Sequence, residues 1–86
     1  MKKVQNLLRA FCLEYITGYN ELSASQKDSF DLTYKKHLSS IHEKERIPYT
    51  EKYIKRIDGN IGAIKVHFEN GDRYVYLPEC KWIKVT

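Results

Sequence analysis

The sequence predicts an α+β fold: two N-terminal antiparallel helices packed on one face of a three- to four-stranded antiparallel β-meander. Three observations point there. Apolar residues before Pro48 recur at helical spacing, those after it alternate, and an Asn-Gly pair at 70–71 joins two alternating runs. Eighty-six residues make a single domain that buries roughly 60–65% of its unfolded surface. It divides into a helical hairpin over 1–46 and an antiparallel sheet over 49–86.

The first helix rests on Val4, Leu7, Leu8, Phe11, Tyr15 and Ile16, which form one stripe. Gly18 can stop it by adopting a positive φ, and Leu22 can fold back onto the core. A second helix starts in "SASQKDSF", where Ser25 with Asp28, or Ser23 with Gln26, offers a capping box. Phe30, Tyr34, Leu38 and Ile41 are its core positions. It is expected to end near Arg46, because Pro48 disfavours helix in the residue before it.

Beyond Pro48, "YTEKYIKRI" is rich in β-formers and "DGN" reads as a turn. "IGAIKVHF" and "DRYVYL" are strands around Asn70-Gly71, and "KWIKV" is a last short strand after the bend "PEC". The run "YVYLPECKWIKV" resembles the ending of SH3-like small barrels. That resemblance concerns local geometry and carries no function. If Asn70-Gly71 is a two-residue type I′ turn, Phe68 faces Arg73, Val66 faces Val75, and Ile64 faces Leu77. One sheet face is then aliphatic and takes the helices. The other carries Lys65, His67, Tyr74 and Tyr76. A three-residue bend at Pro78, which is favoured, places Trp82 with the two tyrosines, and Ile83 and Val85 on the aliphatic face; a two-residue turn would instead bury Trp82 against Val75.

Composition narrows the function classes. Hydrophobic residues make up 42% and charged residues of both signs 30% of the chain, which suits a globular domain. The charge of +4 is spread along the chain and forms no basic arm, so electrostatic attraction to nucleic acid is weakly signalled. The two cysteines, Cys12 and Cys80, are isolated and read as free thiols of a reducing compartment. Polar residues interrupt the apolar N-terminal run, and no window approaches a membrane span of about 20 residues. A cytoplasmic protein with no membrane partner is expected. Abundant Lys, Ile, Tyr and Asn fit AT-rich coding, as in a low-GC bacterium, a phage or a mobile element.

Catalytic chemistry finds little support, and the chain reads as a non-enzyme without cofactor or metal. His37 and His42 lie five apart, about 140° around a helix, so they do not share a face as two ligands must. "HEKER" has Arg46 where a zinc-protease helix carries its second histidine. "GNIG" has the spacing of the backbone-clamping loop of KH domains but sits between strands, where a glycine-assisted turn explains it. What remains is binding. Tyr74, Tyr76 and Trp82, with Lys65, His67, Lys81 and Lys84, form the expected surface. A small regulator or inhibitor docking on a protein partner is favoured over a single-stranded nucleic-acid binder that stacks bases on the same rings. A sheet edge also offers a route to a homodimer.

Overall fold

A computed structural model describes residues 13, 15–60 and 62–85. Most of the first expected helix, Val4, Leu7, Leu8, Phe11 and Cys12 included, lies outside those residues. Of its stripe, Ile16 is buried, whereas Tyr15 is 81% exposed and lies in a turn; Leu13, outside the expected stripe, is also buried. The described residues contain one α-helix, α1 (Ala24–Ser40), and a four-stranded antiparallel sheet in the order β1-β2-β3-β4. The strands are β1 (Ile54–Asn60), β2 (Ala63–Phe68), β3 (Arg73–Leu77) and β4 (Lys81–Val85).

Helix α1 starts where Ser23 and Gln26 form a reciprocal capping box. The Gln26 N–H donates to Ser23 Oγ at 3.2 Å and the Ser23 N–H to Gln26 Oε1 at 2.8 Å, which satisfies two otherwise orphaned donors. The helix buries Phe30, Thr33, Tyr34 and His37, a stripe at i, i+3, i+4 and i+7. It stops at Ser40, before the position expected from Pro48. Ser40 Oγ donates back to the His37 carbonyl at 2.6 Å, and the Arg46 guanidinium takes the Ile41 and Ser39 carbonyls at 2.7 and 3.2 Å. Side chains thus take the carbonyls that another helical turn would use. Three 3-10 turns, Glu43–Glu45, Ile47–Tyr49 and Glu51–Tyr53, carry the chain to the sheet.

The sheet departs from the expected register. Asp58, Gly59 and Asn60 belong to β1 rather than to a turn, and Gly62, at φ +77, lies in the turn before β2. Between β2 and β3, Phe68 N–H donates to Asp72 O at 2.9 Å and Gly71 N–H to Phe68 O at 3.0 Å. Glu69, Asn70 and Gly71 therefore make a three-residue loop, with Gly71 at φ +98. The helix-facing pairs are Val66 with Tyr74 and Ile64 with Tyr76, not Val66 with Val75 and Ile64 with Leu77. One residue of register turns a whole strand over. Tyr74 and Tyr76 face the helix, and Arg73, Val75 and Leu77 face away.

The core packs α1 on β1–β3. Phe30 is completely buried and has ring neighbours in Tyr19, Tyr34 and Tyr76, at 6.0, 5.6 and 5.4 Å between centroids. Ile57, Val66 and Phe68 close the layer from the sheet. The loop before α1 lies against β1, where the Ile57 N–H donates to the Thr17 carbonyl at 2.8 Å. Gly18 makes this approach feasible: at φ +93, a Cβ there would stand 1.8 Å from the Ile57 carbonyl oxygen. Leu22 folds back as expected and is 6% exposed.

Candidate functional site

Two groupings of functional side chains emerge, one on each side of the sheet. On the helix side, His37 stands among aromatic rings. Its centroid lies 4.2 Å from Tyr74, 5.3 Å from Trp82 and 5.6 Å from Tyr76. His37 Nδ1 and the Tyr76 hydroxyl are 2.7 Å apart, and both residues are 2% exposed. Burial lowers the His37 pKa from its ordinary 6.5 to about 4 and raises that of the Tyr76 phenol. Both are neutral at pH 7 and make a polar contact within an apolar interior. The pair links α1 to β3 across the core.

Tyr49 extends this cluster through edge contacts with Phe68 and Tyr74. Its hydroxyl donates to Asp72 Oδ2 at 2.5 Å, and that hydrogen bond raises its pKa first, with burial adding to it. Asp72 also receives Lys84 Nζ at 3.6 Å. The expected tyrosine platform is corrected here. Tyr76 is interior, Tyr74 and Trp82 are half-buried against α1, and Trp82 pairs with Tyr76 across β3–β4. Trp82 does share a side with the two tyrosines, after a three-residue bend, but that side is the core. Ile83 and Val85 accordingly face outward.

The other face of the sheet has no buried residue. Across its β1–β2 half lie Arg56, Asp58, Lys65 and His67; across its β3–β4 half lie Arg73, Val75, Leu77, Lys81, Ile83 and Val85. Asp58 is the carboxylate among these charges. Both Arg56 Nε and Nη2 approach it at 3.1 Å, and His67 Nε2 lies 3.1 Å from it. Hydrogen bonds from Arg56, ahead of the contact with His67, hold its pKa below the usual carboxylate range. Ile83 is 54% exposed. The face thus carries cations in both halves, with Val75, Leu77, Ile83 and Val85 adding an aliphatic stripe to the β3–β4 half.

Of the residues expected to form one surface, the structure separates Tyr74, Tyr76 and Trp82 from Lys65, His67 and Lys81. Lys84 lies on the helix side of β4, at its edge. Sequence reasoning did not bring out Arg73, Val75 and Leu77 as an outward set; their signal was available only as the opposite parity of the same hairpin. Cys80, half-buried, sits in the β3–β4 bend at φ +57, next to Glu79 at φ +67. Among the described residues no three His, Cys, Asp or Glu side chains gather to hold a metal ion, and no helix is long and apolar enough to cross a membrane. No protein-family model matches the chain, and neither does any curated protein or solved structure.

Proposed function

We propose that this protein is a small non-catalytic docking module, a regulator or inhibitor that acts by binding a partner protein through the helix-free face of its sheet. One observation carries the reading: this face joins Arg56, Lys65 and Arg73 to an aliphatic stripe of Val75, Ile83 and Val85. An apolar stripe beside fixed charge gives a partner both area to bury and a register to respect. A single-stranded nucleic acid would find the phosphate-neutralising half of its site there but not the stacking half, because the rings lie on the helix side.

Capture experiments test the proposal. A partner retained by the wild type and by Lys36→Glu, on the exposed side of α1, should be lost with Arg73→Glu or Ile83→Glu. A partner lost only with Lys36→Glu would place docking on the helix and overturn the reading. Trp82 fluorescence, titrated with mixed single-stranded DNA and RNA at low salt, should show no saturable change. A saturating, salt-sensitive response would restore nucleic acid as the ligand.

A further inference from the structure

Strand β4 is an edge strand of the sheet and, among the described residues, an open one. Its partner is β3, and among the described residues no backbone group beyond β3 bonds to it. The opposite edge differs, since β1 already receives the Thr17 carbonyl at Ile57. An open edge presents a row of amide donors and acceptors that another extended segment can use. In β4 this row is flanked by Lys81 and Lys84, whose side chains are 69% and 51% exposed, and by the apolar Trp82, Ile83 and Val85. The two ammonium groups lie 3.9 Å from Glu79 and 3.6 Å from Asp72, surface pairs weak enough to leave both lysines open to a further carboxylate. A shallow groove of about 410 Å³, lined by Leu77, Cys80, Trp82 and Ile83, opens beside the start of the strand.

We infer that β4 accepts an extended acidic-aliphatic segment of the partner protein as a fifth strand, antiparallel to it. This deepens the docking function proposed above and rests on it. Directly opposed residues of neighbouring strands share a face, so β4 dictates the pattern of its occupant. Carboxylates belong opposite Lys81 and Lys84, and apolar side chains opposite Trp82, Ile83 and Val85. Read from its own N-terminus, the added segment is apolar, acidic, apolar, apolar, acidic. The residue opposite Trp82 lies beside the groove. A second copy of this chain fits less well. Strand β4 itself has no carboxylate, and pairing two copies about Ile83 sets Lys81 opposite Val85 and Lys84 opposite Trp82, so neither lysine gains a carboxylate beyond the Glu79 and Asp72 of its own chain. Chains of net charge +4 also repel one another.

The test uses the intact protein and a fluorescein-labelled peptide with the core Val-Glu-Val-Leu-Glu between Gly-Ser flanks. Anisotropy should report saturable binding. Amide exchange should slow in residues 81–85 when the peptide is bound. Replacing both Glu by Lys in the peptide, or N-methylating its β4-facing amides, should weaken binding at least tenfold. The double variant Lys81→Glu/Lys84→Glu should reverse the preference and select the Lys peptide. Absence of binding overturns the inference. So does binding that N-methylation leaves unchanged, which would mean docking on the sheet face without strand addition and would leave the proposed function standing. A dimer in sedimentation, with 81–85 protected before peptide is added, also overturns it, because a second copy would then occupy the edge.

Discussion

His37 is a histidine whose surroundings offer nothing to its charged form. The rings packed on it, from Tyr49, Tyr74, Tyr76 and Trp82, bring no carboxylate, and burial lowers its pKa to about 4. The unfolded chain takes up the proton near the ordinary value of 6.5, whereas the folded chain holds out until about 4. Between those values the unfolded state binds more protons, so stability is complete above about pH 6.5 and falls as pH drops toward 4. The slope approaches about 1.4 kcal/mol per pH unit, and the loss amounts to roughly 3 kcal/mol in all. Urea unfolding at pH 7, 6, 5 and 4 measures this. In His37→Gln the amide can still meet the Tyr76 hydroxyl but cannot titrate, and the acid slope attributable to this site should vanish. Asp31, whose carboxyl is pushed up by burial, acts in the opposite sense in both proteins and cancels from the difference. Parallel curves for the two would remove His37 as the source.

At the scale of elements, the β2–β3 loop shows how much rests on one residue. The alternation in "KVHFENGDRYVYLP" identifies two strands, and the Asn-Gly pair identifies a hairpin, but neither fixes parity. Ile64, Val66 and Phe68 can pair their face with Val75 and Leu77 or with Tyr74 and Tyr76, and both sets are apolar enough for a core. The contacts that favour the second come from elsewhere in the chain: Tyr76 to His37 on α1, and Tyr49 to Asp72 at the loop. Local pattern cannot contain them. The meander order and a capping box were legible because each depends on neighbours in sequence, although the box forms between Ser23 and Gln26, the alternative to Ser25 with Asp28. The observed register yields an unusual expectation. Phe68 and Asp72 already face one another, so deleting Glu69 leaves Asn70-Gly71 as a two-residue turn and keeps every pair of the hairpin. The variant loses the hydrogen bond from the Glu69 N–H to the Tyr53 carbonyl and should cost about 1 kcal/mol, with the near-ultraviolet circular dichroism of the aromatic cluster retained. Complete loss of that signal would mean that the tyrosines had been turned outward and the register argument was wrong.

For the whole molecule, the consequence is a sheet with unequal faces, and the candidate binding surface inherits its location from the same unit of register that hid it in the sequence. The basic and aliphatic residues were visible as types, but their gathering on one face required knowing which way β3 points. That arrangement has a thermodynamic signature independent of any partner. Removing the Tyr76 ring from a site 2% exposed leaves a cavity and strands the His37 nitrogen, so Tyr76→Ala should lose about 3–5 kcal/mol. Arg73→Glu and Ile83→Glu alter residues that solvent already reaches and should stay within about 0.5 kcal/mol of wild type. Thermal and urea unfolding of the three variants compare the faces directly. Were Ile83→Glu as damaging as Tyr76→Ala, the outward face would be interior in the folded protein and could not be the surface a partner meets. The expected contrast instead leaves Arg73→Glu and Ile83→Glu folded, so that any binding they lose reports on the interface rather than on the fold.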